Sequence, residues 1–316
     1  MIWSFLTFLI RKLDPEIAHQ LTLKALTLGV HPRLKVLKIP TKINNLKFNN
    51  ILGVAAGFDK NAQVIDKIHF LNFGFTEVGT ITPKQQYGNP KPRVFRLEMD
   101  KAIINRNGFN NLGMEEAKKK LERYRKINPV GSDFVLGINV GPNKNSLDRI
   151  NDYQVLSENL CKFADYITIN ISSPNTPNLR DFHKSELLEK VIKAVKKGIF
   201  NSKSPNANIP IFLKIAPDIS FKILEAIINK AVQLKVTGLI ISNTTIDRNK
   251  NLQSENATEI GGLSGTPLFN KSTSILSMSN KIIKENRHKL CLIAAGGVYD
   301  AKTAYVKILC GANLVQ

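Results

Sequence analysis

From about residue 50 onward, short runs of apolar residues alternate with longer stretches whose apolar positions recur every three or four residues. The runs are Leu52–Ala56, Phe75–Val78, Phe134–Val140, Tyr166–Ile171, Ile211–Ile215, Gly238–Ile241, Cys291–Ala295 and Leu314–Gln316. Near-continuous hydrophobicity over a few residues marks strands buried on both faces, as in a parallel sheet. Between them, Ser185–Phe200, Phe221–Leu234, Ser272–Glu285 and Ala301–Leu309 carry the period of amphipathic helices. Eight such runs with no break in composition predict an α/β fold, a (β/α)8 TIM barrel, over residues 39–316. One stretch departs from a plain barrel. Thr82–Asn111 is rich in Pro, Gly and Asn around two extended pieces, Arg93–Leu97 and Ala102–Asn105. A hairpin inserted over the barrel mouth would account for it.

Residues 1–38 read as a helical appendage. Met1–Ile10 is almost wholly apolar and is followed by Arg11 and Lys12. It is too short to span a bilayer, which takes about 20 residues. It also lacks the leading charge and small-residue cleavage site of a secretory signal. Asp14-Pro15-Glu16 is a helix start: Asp14 caps, Pro15 suits the first turn and Glu16 complements the dipole. Ile17, Leu21, Ala25 and Leu28 fall on one face, and Gly29 can end the helix. Two short amphipathic helices bearing Trp3, Phe5 and Phe8 could lie on a membrane or pack on the body of the protein. This segment alone leaves both open.

Composition changes the picture little. With 43% hydrophobic residues the chain can bury a sizeable core. Cys161, Cys291 and Cys310 are far apart, so neither a disulfide framework nor a zinc site is expected. The formal charge of +20 would attract nucleic acid or an anionic membrane surface. The lysines, however, are scattered over helix-like segments such as Lys118–Lys120, Lys196–Lys197 and Lys281–Lys284, without arginine–aromatic interleaving. A solvated lysine-rich exterior is the better reading, and no nucleic-acid partner is expected.

Candidate chemistry gathers at the C-terminal strand ends, the active-site face of barrel enzymes. There stand Ala56-Gly57-Phe58-Asp59-Lys60, Gly79-Thr80, Asn139, Asn170-Ile171-Ser172-Ser173-Pro174-Asn175, Lys214, Ser242-Asn243-Thr244 and Gly296-Gly297. No histidine belongs to this set, and Asp59 and Asp218 are the only carboxylates expected near the rim. Glycosidase pairs, Ser-His-Asp triads and metal hydrolysis are therefore disfavoured, and no metal is expected. Amides, hydroxyls and lysines can hold a planar hydrogen-bonding ring and balance negative charge, but the hard chemistry would fall to a cofactor. Gly265 and Gly296-Gly297 would offer backbone N–H groups to a phosphate, as in a phosphate-bearing flavin.

At this point a family resemblance emerges. LGVAAGFDKN, EVGTITP, NPKPRVFRL, INRNGFNNLG, LGINVGPNK, INISSPNTPNLR, LKIAPD, SNTT, GGLSG and AAGG, in this order, resemble the class 2, quinone-dependent dihydroorotate dehydrogenases. The likeness runs from about Leu13 to Gln316. It implies an FMN-binding barrel that oxidises dihydroorotate to orotate in UMP biosynthesis and passes the electrons to a membrane quinone. It implies Ser173 as catalytic base, taking a proton from C5 of dihydroorotate while C6 gives hydride to flavin N5. Serine is a poor base at its free pKa and needs help from its surroundings. Thr176 and Phe109 match residues that frame a proton exit. Lys60, Asn105, Arg106, Asn107, Gly108, Phe109, Asn170, Asn175, Asn243 and Thr244 match the substrate site. Ala56, Gly57, Phe58, Asp59, Lys60, Thr80, Asn139, Asn170, Lys214, Ser242, Gly265 and Gly297 match the FMN site, with Lys214 favouring a negatively charged ring. His19 and Arg96 match the quinone tunnel. The resemblance further implies a monomer, held peripherally on an anionic surface at the cytoplasmic face of a bacterial inner membrane.

Serine in place of the cysteine of soluble relatives, together with the apolar N-terminal helices, favours the membrane class. Asn107 replaces a usual apolar residue, and Ser242 a common threonine. The family continues past Leu-Val-Gln, whereas this sequence stops at Gln316. An incomplete last strand, a missing closing helix and an unclosed barrel with exposed edges are the expectation. Two rival readings are a tRNA dihydrouridine synthase, which the charge would favour, and an inactive, flavin-free fragment.

Overall fold

The computed structural model describes residues 2–32, 38–204 and 208–316. Met1 and residues 33–37 of the expected appendage lie outside the described residues. In chain order the strands are β1 Thr41–Ile43, β2 Leu46–Phe48, β3 Gly53–Val54, β4 Phe75–Ile81, β5 Val94–Leu97, β6 Ala102–Asn105, β7 Val135–Val140, β8 Tyr166–Asn170, β9 Ile211–Ile215, β10 Gly238–Ile241, β11 Gly262–Gly265, β12 Cys291–Ala294 and β13 Leu314–Val315. The helices are α1 Ile2–Arg11, α2 Pro15–Thr27, α3 Ile65–Phe70, α4 Met114–Ile127, α5 Arg149–Leu160, α6 Ser185–Asn201, α7 Phe221–Gln233, α8 Phe269–Glu285 and α9 Ala301–Leu309.

Eight of these strands form one sheet in the order β13-β12-β10-β9-β8-β7-β4-β3. Every neighbouring pair is parallel. A bridge between Leu52 and Val315 joins the two ends, with Val315 N donating to the Ile51 carbonyl at 3.0 Å. The result is a nearly closed parallel barrel. The exposed edge expected at the last strand is corrected here: Leu314 and Val315 are buried, and Gln316 N donates to the Ala294 carbonyl at 2.7 Å. Two residues suffice to seal the seam because Val315 pairs with Ala294 on one side and with Leu52 on the other.

The strands divide their residues between two cores. Outward-facing Val78, Ile138, Ile167, Leu213 and Leu239 pack against helix residues such as Leu121, Leu156, Leu188, Ile228 and Leu276. Inward-facing Phe75, Val135, Tyr166, Phe212, Ile240, Ile293 and Leu314 fill the barrel floor. Full burial of each such side chain is worth about 1.5–3 kcal/mol. The β1–β2 hairpin, which lies before the apolar strand runs of the sequence, plugs that floor with Ile43, Leu46 and Phe48. Its signal is present in TKINNLKF, where alternating apolar residues flank an Asn-Asn turn and Asn44 adopts a positive φ of 53°.

The insertion is larger than the expected hairpin. β5 and β6 pair as anticipated, and β11 adds a third antiparallel strand against β6. Thr245 and Leu263 exchange backbone hydrogen bonds of 3.1 and 2.7 Å, tying this small sheet to the end of β10. At the N-terminus Asp14 caps α2 as predicted, accepting from the Glu16 and Ile17 N–H groups at 2.9 and 3.0 Å. α2 docks on the insertion through a two-pronged Arg93–Glu16 pair of 2.8 and 3.1 Å, and Arg96 donates to the Leu13 carbonyl at 2.6 Å. Trp3, Phe5, Phe8, Leu9, Ile17, Leu21 and Leu28 stay exposed. Among the described residues no helix is long and apolar enough to cross a membrane.

Candidate active site

Inside the barrel, the layer above the apolar floor is polar. Glu77 of β4, fully buried, sits at its centre. Its carboxylate accepts from Asn139 Nδ2 at 2.7 Å, Thr168 Oγ1 at 2.9 Å, Tyr166 OH at 3.2 Å and Gln316 Nε2 at 3.4 Å. Asp59 and Asp218 are therefore not the only carboxylates near the rim. Glu77 belongs to the strand stretch read as hydrophobic, and a lone acid in such a run is the signal that could have revealed it. Strand alternation points it inward with Phe75 below it.

Lys214 of β9 is also buried in the barrel, and among the described residues its ammonium has no hydrogen-bond partner. Burial pulls its pKa below the usual lysine range, and the charge of Glu77 opposes that pull. A buried cation with free donors is a ready site for an electron-rich ring edge or an anion.

Higher up, Thr80 Oγ1 donates to Asn139 Oδ1 at 2.6 Å, and Asn170 Nδ2 reaches Thr80 Oγ1 and Asn139 Oδ1 at 2.9 and 3.1 Å. Asn243 Nδ2 donates to Ser172 Oγ at 3.0 Å and lies 3.4 Å from Asn170 Oδ1. Three strand ends thus hold one another's amides in fixed orientation. Tyr153, buried on α5, donates to the Asn170 carbonyl at 2.7 Å and steadies the end of β8.

Ser173 is buried in the loop after β8, and its Oγ accepts from Asn175 N at 3.3 Å. Asn175 Nδ2 reaches across to the Asn105 carbonyl at 3.0 Å and to Asn105 Oδ1 at 3.3 Å, joining the barrel rim to the capping sheet. Thr176 Oγ1 is buried without a partner. Phe109 holds a positive φ of 53°, and its ring lies against Gly141, where an added Cβ would come within 2.9 Å.

Other predicted residues are engaged structurally. The buried Asp59 carboxylate accepts from the Asn61, Gln63 and Val64 N–H groups, which shapes the loop after β3. Its carbonyl accepts from Gly79 N at 2.9 Å. Gly57, at φ 107°, has nothing within 4 Å of the position a Cβ would take, so this strand end borders open space. Arg106 turns toward Glu259 at 2.6 Å and stacks over Phe95, its centre 4.5 Å from the ring. Asn107 bonds back to Asn105 Oδ1 from both its N and Nδ2, and Gly108 sits at φ 69°. Thr244 N donates to Asn243 Oδ1 at 2.8 Å, and Ser242 Oγ to the Asn243 carbonyl at 2.8 Å. Gly265 and Gly297 take positive φ of 88° and 75°; a Cβ on Gly297 would lie 2.4 Å from Phe269 Cα.

Asp218 is a tie between loops rather than a site carboxylate. It accepts from Arg180 at 2.8 Å, Lys271 at 2.7 Å, Ile246 N at 3.0 Å and Thr245 Oγ1. Arg180 also donates to the Ser172 and Thr244 carbonyls at 3.3 and 3.1 Å, fixing the backbone behind Ser173. Arg180 is the second residue that the strand-end search passed over, because its role depends on three separate loops.

Toward the N-terminal helices, Lys60 is half-buried. Burial lowers its pKa, opposed by Glu16. His19 of α2 meets Phe58 edge-on at 5.4 Å, and its pKa is lowered to about 4 by burial, then by the Lys60 charge. An open groove of about 720 Å³, lined by Lys42, Lys235, Arg287 and Cys291, lies at the opposite end of the strands and includes none of the predicted site residues.

A (β/α)8 barrel with a capped polar mouth, a buried lysine and positive-φ glycines at its last strand ends defines the class: a barrel enzyme with its site at the C-terminal strand ends. The family profile described as dihydroorotate dehydrogenase matches residues 38–316, and the chain belongs to that family. It is 46% identical over 308 residues to a dihydroorotate dehydrogenase (quinone) of Bartonella tribocorum, covering 96% of this chain and 83% of that protein. A dihydroorotate dehydrogenase (quinone) of Brucella ovis is 43% identical, with 96% and 82% covered. The ligand-free dihydroorotate dehydrogenase of Eimeria tenella superposes with a TM-score of 0.89 at 37% identity, covering 96% of this chain and 88% of that one.

Proposed function

We propose that the chain oxidises (S)-dihydroorotate to orotate, with FMN as hydride acceptor and a quinone as final electron acceptor, in the de novo synthesis of UMP. The observation that carries this reading is the convergence of Asn170, Ser173, Asn175 and Asn243 on one rim above an unpartnered Lys214. The residues present fit a flavin: the free donors of Lys214, the open space beside Gly57 and the positive-φ glycines after β11 and β12 offer a cation, a cradle and backbone N–H groups. When bound, FMN supplies the hydride acceptor that no side chain of the rim provides.

Ala56, Gly57, Phe58, Asp59, Lys60, Thr80, Asn139, Asn170 and Ser242 would hold the ring and its tail, and Gly265 and Gly297 would hold the phosphate. Lys214 balances negative charge on the ring. Lys60, Asn105, Asn107, Gly108, Asn170, Asn175, Asn243 and Thr244 hold the pyrimidine and its carboxylate, where amide pairs match the ring's donors and acceptors, and Arg106, its side chain tied to Glu259, shapes the loop that carries Asn105 to Gly108. Ser173 Oγ takes the C5 proton, and the buried, unpartnered Thr176 Oγ1 together with Phe109 forms the way out for it. α1 and α2, within the appendage of residues 1–38, rest their apolar faces on an anionic membrane surface at the cytoplasmic face of a bacterial inner membrane. His19 and Arg96 then line the way in for quinone, and the enzyme acts as a monomer.

The test is Ser173→Ala. Flavin reduction by dihydroorotate slows by about 10²–10⁴-fold while FMN stays bound, followed by stopped-flow bleaching of the flavin. Fast reduction in that variant would remove Ser173 as the base. A wild-type preparation that cannot be loaded with FMN would favour the flavin-free reading.

A further inference from the structure

Behind the loop that follows β12 lies a fully buried lysine, Lys307 of α9. Its Nζ donates to Ser272 Oγ at 2.5 Å and sits 5.0 Å from the Phe269 ring centre. Ser272 Oγ in turn lies 3.0 Å from the Gly296 carbonyl and 3.1 Å from the Phe269 carbonyl, one hydroxyl hydrogen serving the two. Phe269 opens α8 and also backs Gly297. The lysine therefore meets the start of α8 directly and reaches the Gly296-Gly297 backbone through the Ser272 hydroxyl.

No carboxylate is among its partners. α8 faces it with Ser272 and Phe269, and among the described residues the ionisable group acting on it is the thiol of Cys310, the C-cap of α9. A buried ammonium without a counter-ion is costly, and such a charge persists where a ligand's charge answers it. Resting on the flavin site proposed above, we propose that Lys307 is a positioning residue for the cofactor phosphate: through Ser272 it sets the Gly296-Gly297 turn, and its charge bears on the phosphate from behind that turn. It does not touch the phosphate; it acts from behind the backbone that does.

Burial lowers the Lys307 pKa to about 8, so its charge is lost as pH rises through that value in the flavin-free protein. A phosphate dianion in front of it favours the charged form, so binding near pH 8 draws a proton onto the lysine.

The experiment compares the affinities of flavin-free wild type, Lys307→Met and Lys307→Arg for FMN and for riboflavin, which lacks the phosphate. In Lys307→Met the FMN affinity falls about ten- to a hundredfold, the range that outer-shell partners command at metal sites. Riboflavin affinity stays within about twofold, and the proton uptake on FMN binding near pH 8, read by titration calorimetry in two buffers, disappears. Lys307→Arg, which keeps the charge, restores part of the preference. Equal losses for both flavins would mean that Lys307 only supports packing, and an unchanged preference would mean that it does not act on the phosphate; either overturns the proposal. A wild type that itself binds FMN no more tightly than riboflavin would overturn the phosphate site it rests on.

Discussion

Individual residues at this site are set by what surrounds them more than by what they are. Glu77 is the clearest case. Its carboxylate organises Asn139, Thr168 and Tyr166 and opposes Lys214 across the barrel interior. Glu77→Leu orphans three buried donors and leaves Lys214 without an opposing charge. Its expected cost is at least about 3 kcal/mol, read from the urea midpoint at constant slope. A loss below about 1 kcal/mol would show that the network is slack. Ser173 and Asn175 were legible from sequence because INISSPNTPNLR carries them as neighbours. Glu77 was missed because its partners come from β7 and β8, and Lys307 because its significance lies in a turn formed by another element.

At the scale of elements, capping and patterning did most of the work. Asp14 starts α2 where the sequence placed it, and the strand runs reappear as barrel strands with ends shifted by up to three residues. The three-stranded cap was only partly foreseen, since β11 is short, glycine-rich and far in sequence from its partner β6. α2 docks on the insertion through a mostly buried pair, Glu16 with Arg93, while His19 meets Phe58 and Leu26 packs into the main core. Glu16→Ala should slow flavin reduction by dihydroorotate less than quinone reduction, because its charge bears on Lys60 but no rim residue hydrogen-bonds to it. Quinone reduction should fall roughly tenfold, the equivalent of about 1.4 kcal/mol of lost docking. Equal loss in both half-reactions, measured separately, would place α2 in the catalytic core rather than at the entry.

The whole molecule carries an acid liability that no single element reveals. His19 and His183 are both held neutral, with pKa lowered to about 4, in each case by burial first. Their unfolded counterparts protonate near pH 6.5. The unfolded chain therefore binds more protons between pH 6.5 and 4, and stability is full above that window and lost as pH falls through it. Each histidine contributes a slope of up to about 1.4 kcal/mol per pH unit. Asp59, whose pKa burial raises, acts in the opposite sense. His183→Gln isolates one histidine: its denaturation midpoint should fall less steeply from pH 6.5 to 4 than that of wild type. Parallel profiles would rule out His183 as a contributor.

The sequence by itself determined the alternation of strand and helix, the polar strand ends and the serine motif, because each depends on residues a few positions apart. It also carried the α2 cap and the turn glycines, whose physics is local. Only the tertiary structure decided that Glu77 faces into the barrel opposite Lys214 and that Arg106 turns to Glu259. It also decided that β13 seals against Leu52 and that Lys307 stands behind the last glycine turn. Those pairings join residues distant in the chain, and their energy comes from burial and charge meeting in a shared interior, which exists only once the barrel has formed.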